Sequence, residues 1–186
     1  MTFQQHNYAK EWIILLVDDE EDNLQMAKLT LEYWGAKVHE AKNGIQGLQV
    51  LDQLENPTVI LLDLSMPEMD GWTMFKKVRE QSRFYTVPII ALTAHAMTND
   101  KAKVMAAGFD GYITKPFMID SFMERIKNSI EQRSKKLAAD IQETVEIGLA
   151  VPFEGTTQEP PVKSLQETTP GDADVAQRET EKEEKS

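Results

Sequence analysis

Apolar residues follow two alternating patterns along this chain. Trp12–Val17 (WIILLV), Thr58–Leu62 (TVILL) and Val87–Leu92 (VPIIAL) are nearly continuous apolar runs without period-two alternation. Such runs suit parallel strands covered on both faces. Shorter strands fit Lys37–Ala41 (KVHEA) and Gly111–Thr114 (GYIT). Between these runs the period becomes helical. Leu24, Ala27, Leu31 and Trp34 share a face before Gly35, and Ile45, Leu48 and Leu51 share one after Asn43. Ala102, Met105, Ala106 and Phe109 frame Gly108 after Thr98. Asn or Thr before a periodic stretch and Gly after it are start and stop signals of helices. Five strands and five helices in strict alternation predict an α/β fold, a doubly wound parallel sheet with helices on both faces.

The pattern changes near residue 131. Phe122, Ile126 and Ile130, then Leu137, Ile141 and Val145, continue at near-helical spacing, but Phe153 is the only aromatic residue beyond 131. The division expected is an N-terminal extension over 1–11, one domain over 12–131, a helical extension over 132–149 and an acidic tail over 150–186. The extension reads either as the last domain helix overrunning its domain or as a helix that binds a partner or dimerises. Pro152–Ser186 is rich in Pro, Thr, Glu and Lys, so it buries too little apolar surface to offset its ordering entropy and is expected to be disordered. It is also too poor in core residues for an effector domain.

Composition narrows the chemistry. The absence of cysteine in 186 residues excludes disulfides, thiolate nucleophiles and thiolate metal sites. A formal charge of −11 argues against direct DNA binding, which needs clustered Lys and Arg on the phosphate backbone. No apolar run approaches the ~20 residues of a membrane span, and the first residues, MTFQQHNYAKEW, lack the features of a secretory signal. A cytoplasmic protein is therefore expected.

Ligands of open α/β sheets bind beyond the carboxyl ends of the strands. The first polar residues there are Asp18 and Asp19, Asp63, Thr93 and Lys115. Taken alone, Asp18 and Asp19 could equally be a solvated helix N-terminus, and Lys115 before Pro116 a surface turn lysine. Together, three carboxylates repel one another unless a cation compensates them. Hard carboxylate oxygens suit Mg²⁺, and a carboxylate is a competent nucleophile toward phosphorus. Phosphoryl transfer then needs neutralisation of the equatorial oxygens by a metal, a cationic side chain and a hydroxyl. Asp19 and Asp63 are expected to bind the metal directly and Asp18 through water, with Lys115 and Thr93 each taking a phosphoryl oxygen.

The stretches LLVDDEEDN, VILLDLSMPEMDGW, IIALTAHAM and GFDGYITKPF resemble, in order and spacing, the motifs of the receiver domain of two-component response regulators. The resemblance covers roughly residues 12–131. It implies a flavodoxin-like (βα)5 sheet of order 2-1-3-4-5. It also implies Asp63 as phosphoacceptor from a phosphohistidine on a sensor histidine kinase or histidine phosphotransfer protein, and Mg²⁺ held by Asp19, Asp63 and the Ser65 backbone carbonyl. A cis bond before Pro116, Thr93 as switch hydroxyl and Tyr112 as the aromatic that turns inward complete the inference. The helix 4, strand 5 and helix 5 face would then recognise an output partner protein, in a phosphorelay or as a diffusible regulator. His95 and Ser65 would flank the phosphoryl group and tune its lifetime, although His95 alone reads more simply as an exposed loop residue. Met66, Met69, Met97 and Met105 read as core or loop fillers.

Two other functions remain open from sequence. One is a receiver-like scaffold that binds partners without phosphorylation. The other is an aspartyl-phosphate phosphatase of the haloacid dehalogenase type, which would place an acid/base Asp where Ser65 stands. The leading expectation is a phosphorylation-controlled module that is not a turnover enzyme.

Overall fold

The apolar runs lie side by side because each must bury both of its faces. In this computed structural model, which describes residues 8–94 and 98–149, the strands are β1 (Ile13–Val17), β2 (Lys37–Ala41), β3 (Val59–Asp63), β4 (Ile89–Thr93) and β5 (Gly111–Thr114). They form one parallel sheet in the order β2-β1-β3-β4-β5, the flavodoxin-like arrangement expected. Helices α1 (Glu21–Tyr33), α2 (Gly44–Gln53), α3 (Gly71–Arg79), α4 (Thr98–Ala106) and α5 (Ile119–Leu149) alternate with the strands, and a 3-10 turn at Ser82–Phe84 leads into β4. The readings placed on His95, on Met97 and on the tail from residue 150 lie outside the described residues.

Alternate residues of β1 feed opposite faces of the sheet. Ile14 and Leu16 pack with Leu24 and Leu31 of α1 and with Phe122 and Ile126 of α5. Leu15 and Val17 pack with Leu51 of α2, Met74 and Phe75 of α3 and Val104 of α4. All five residues of β3 and of β4 are buried. Both strands begin later than their apolar runs and end on the polar residue itself, Asp63 or Thr93. The backbone ladder therefore holds these two groups directly, with Asp63 in register with Leu92 and Thr93 with Thr114.

Two expectations about helix faces are corrected. Ile45 is 40% exposed, because α2 turns Gly44, Gly47 and Leu51 inward instead. A Cβ on Gly47 would lie 2.7 Å from Met74 Cε, so the missing side chain is what lets α2 lie close to α3. On α4, Ala102, Met105 and Ala106 face solvent and Val104 is buried. That helix rests on an aromatic layer in which Phe109 stacks on Phe75 and meets Trp72 edge-on, so one aliphatic side chain fills the remaining gap. At the other end of the chain, Tyr8–Glu11 do not stand apart from the domain. Ala9 is fully buried and its N–H bonds to the Trp34 carbonyl, while Tyr8 meets Trp12 edge-on.

Helix α5 continues through residue 131 without a break. Its Arg133 is buried, ion-paired with Asp110 at 3.3 Å and donating to the Tyr85 carbonyl. Arg79 of α3 holds the other oxygen of Asp110 at 2.6 Å, and that oxygen also accepts the Ile89 N–H. Leu137 is half-buried and Ile141 is exposed, so the grip of the domain on α5 fades beyond Arg133. No helix among the described residues is long and apolar enough to cross a membrane.

One residue without a sequence signal has a consequence for stability. His39 lies on the edge strand β2 in register with Leu15, and its buried Nε2 has no hydrogen-bond partner. Burial, helped by the charge of Lys37, pushes its pKa below the ordinary histidine value. The unfolded chain therefore binds a proton at His39 more readily than the folded one, and stability falls as the pH drops below about 6.5. His39→Gln is expected to flatten the decline in urea midpoint between about pH 7 and pH 5; an unchanged slope would show that the histidine makes no contribution.

Candidate functional site

Five side chains predicted from sequence meet at the carboxyl edge of the sheet. Asp18 follows β1, Asp63 ends β3, Thr93 ends β4, and Lys115 follows β5 across a cis Lys115–Pro116 bond. Lys115 is fixed to the neighbouring strand by its N–H, which donates to the Thr93 carbonyl at 2.8 Å. Its ammonium turns inward and bonds Asp63 Oδ2 at 2.5 Å, with only 8% of the side chain exposed, so it is not a surface turn lysine. Asp18, Asp63 and Thr93 are buried, whereas Asp19 is exposed at the rim.

The first-strand acids do not behave merely as a solvated helix end. The Asp18 Oδ1 accepts the Glu20 N–H at 3.0 Å, and its backbone N–H bonds to the Ala41 carbonyl. Its Oδ2 lies 2.6 Å from the Lys115 ammonium as an ion pair. Burial pushes the Asp18 carboxyl above the ordinary aspartate range, with the Lys115 contact acting in the opposite sense. Burial acts to lower the Lys115 pKa, but contacts with Asp18 and Asp63 outweigh it and hold the ammonium above its ordinary value. One cation faces three carboxylates. The site keeps an excess of negative charge at neutral pH.

That excess fits a divalent cation. Carboxylate oxygens of Asp18, Asp19 and Asp63 lie within 4.8 Å of one another. Octahedral Mg²⁺ at about 2.1 Å from each ligand places cis oxygens about 3 Å and trans oxygens about 4 Å apart, so small adjustments suffice. The Asp18 carboxylate, beside Lys115, can also accept a hydrogen bond from a water of such a shell. Ser65 is exposed beside the acids, and its N–H bonds to Asp63 Oδ1 at 3.0 Å.

Tyr112 is not in the acidic crevice. It is half-buried on β5, with the Lys101 ammonium 6.0 Å from the centre of its ring.

Sequence reading missed the brace of the loop between β3 and α3. Asn43 caps α2 through Oδ1, which accepts the Gln46 N–H, while its Nδ2 donates to Glu68 Oε1 at 3.1 Å. The Gly44 N–H adds a bond to the Met69 carbonyl at 3.0 Å. Glu68 adopts φ 64°, an uncommon conformation for a non-glycine residue that this bracing helps to hold. The Asn-Gly pair was legible as a helix start but not as a clamp on a loop 25 residues away.

Comparison with known proteins agrees with this geometry. The profile of the response regulator receiver domain family matches residues 14–127. The sensor histidine kinase CheAY of Helicobacter pylori is 32% identical over 126 residues, which are 67% of this chain and 16% of that protein. The polar-differentiation response regulator DivK of Brucella anthropi is 30% identical over 115 residues, 62% of this chain and 93% of DivK. Among solved structures, the chemotaxis response regulator CheY4 of Vibrio cholerae superposes with a TM-score of 0.60 at 30% identity, covering 63% of this chain and 98% of CheY4.

Proposed function

Since the chain belongs to the response regulator receiver domain family, we propose that Asp63 accepts a phosphoryl group from a phosphohistidine of a sensor histidine kinase or histidine phosphotransfer protein. The observation behind this reading is the pairing of buried Asp63 with Lys115 beside the Asp18 and Asp19 carboxylates. A carboxylate oxygen of Asp63 attacks phosphorus, the P–N bond breaks, and the donor imidazole leaves with the bond's electrons and takes up a proton. Asp19, Asp63 and the Ser65 carbonyl would hold Mg²⁺, with Asp18 a partner through water, and the ion would supply neutralisation of charge on the phosphoryl oxygens.

The residues of the chain do the positioning. The Ser65 N–H and the Lys115 ammonium orient the Asp63 carboxylate before the reaction. As negative charge moves onto the equatorial oxygens, Lys115 and the Thr93 hydroxyl become their donors. Thr93 is in register with Thr114, two residues beyond Tyr112, so a shift of its hydroxyl is conveyed through β5 to the face formed by α4, β5 and α5. That face is the output surface in this reading, and the module signals rather than turns substrate over. A haloacid dehalogenase-type hydrolase would require an acid/base group where Ser65 stands.

Incubation with acetyl phosphate and Mg²⁺ is expected to add one phosphoryl group by intact mass. Asp63→Asn or removal of Mg²⁺ by chelation should abolish the gain. A gain that persists in the Asp63 variant would refute the assignment. No gain from acetyl phosphate or from a phosphorylated histidine phosphotransfer protein would favour the scaffold reading.

A further inference from the structure

The output face contains a groove whose charge is unlike that of the whole chain. A cavity of about 470 Å³ lies between α4 and α5, floored by Gly111, Tyr112 and Thr114 and walled by Lys101 and Arg125. A second cavity of about 180 Å³ shares Met105, Asp110 and Gln132 with it and reaches Arg133 and Lys136. The single acid of the two cavities, Asp110, is already held between Arg79 and Arg133. Among the described residues no ion pair is formed by Lys101, Arg125 or Lys136, and the Lys101 ammonium lies 6.0 Å from the centre of the Tyr112 ring. On a chain of net charge −11, Lys101, Arg125 and Lys136 are a local concentration of positive charge.

The geometry points to this groove as the docking site for an acidic segment of a partner protein. The inference rests on the output-face reading above and names the chemistry of the partner. Arg125 and Lys136 are separated by about 16 Å along the axis of α5 at 1.5 Å per residue. One phosphate or carboxylate cannot bridge that span, whereas a peptide of about five extended residues, or three turns of helix, can meet both. A long polyanion fits less well. Beyond the groove it meets an acidic protein, while a short acidic segment is attracted locally, within a Debye length of about 8–10 Å. Tyr112 links recognition to the switch, because its ring forms the floor and lies below Lys101. A change in the Tyr112 rotamer changes the floor on which the segment rests.

The test uses the full ¹⁵N-labelled chain and three probes: hexaglutamate, hexaglutamine and a hexathymidylate. Hexaglutamate is expected to shift the amides of Gly111, Tyr112, Thr114 and Gln132 saturably. Its affinity should fall at least tenfold in the Arg125→Glu/Lys136→Glu variant and be intermediate in Arg125→Gln/Lys136→Gln, whose near-UV spectrum reports an intact fold. Equal shifts with hexaglutamine, shifts confined elsewhere, or tighter binding of hexathymidylate would overturn the proposal. A dimer of the chain that the charge reversal dissolves would also overturn it, by assigning the groove to a second copy. Acetyl phosphate labelling of the same variants keeps the two readings separate. Labelling without groove binding refutes only the groove, and groove binding without labelling counts only against Asp63 as phosphoacceptor.

Discussion

Lys115→Met is expected to destabilise the cation-free domain by about 3 kcal/mol at pH 7, as judged from urea unfolding, and to abolish phosphoryl acceptance. The side chain is buried and meets Asp18 at 2.6 Å and Asp63 at 2.5 Å. Removing it leaves two buried carboxylates facing each other without a counter-charge, the costly half of a buried ion pair. The exposed rim at Asp19 admits water and keeps the loss at the low end of the range for such pairs. Burial already raises the Asp18 pKa, and losing the ammonium raises it further. The penalty is therefore fully present above that raised folded value and fades as the pH falls through it toward the ordinary aspartate range. Added Mg²⁺ should restore part of the loss by mass action on the folded state. Asp63→Asn should have the opposite sign, stabilising the cation-free domain while removing the acceptor. If Lys115→Met proved as stable as the parent, the ammonium would be no electrostatic keystone.

Gly71→Ala should be comparably severe for a steric reason. A Cβ at this first residue of α3 would stand 2.0 Å from the Asp63 carbonyl oxygen and 2.9 Å from Leu64 Cα. Both contacts are backbone, so no side chain can swing away. Either the start of α3 or the end of β3 must move. The start of α3 is held by the Asp70 cap, whose Oδ1 accepts the Thr73 N–H at 2.7 Å, and the end of β3 is held by its ladder. We expect a loss of about 3 kcal/mol from overpacking against fixed backbone. A displacement of Asp63 by about 1 Å would slow phosphoryl acceptance on the order of a hundredfold. Urea unfolding and initial rates of acetyl phosphate labelling measure the two effects. A variant that matched the parent in both would mean that the helix start yields at no cost.

Three of the five strands were legible as unbroken apolar runs, and Asp18, Asp63 and Thr93 stand at the ends of those runs, whereas Lys115 follows the shorter stretch GYIT. Sequence reading failed where a neighbour rather than local period sets burial. Ile45 has the period of a core residue, but Gly47 against Met74 rotates α2 away from it. Met105 likewise belongs to an apolar helical pattern, yet the stacked Phe75 and Phe109 leave α4 room to bury Val104. The Asp110 pairing with Arg79 and Arg133, and the reach from Asn43 to Glu68, join residues distant in sequence with no local pattern to mark them.

The Asp110 knot lies at the opposite end of β5 from Lys115, where the chain leaves α4 and enters the strand. It binds that corner to the start of β4 through Ile89, to α3 through Arg79 and to α5 through Arg133. The corner acts as a fulcrum. In the proposed reading, displacement of α4 by events at Thr93 would swing the helix about its exit, with the travel greatest at its entry and least near Gly108. Lys101, in the first turn of α4, would share most of that travel.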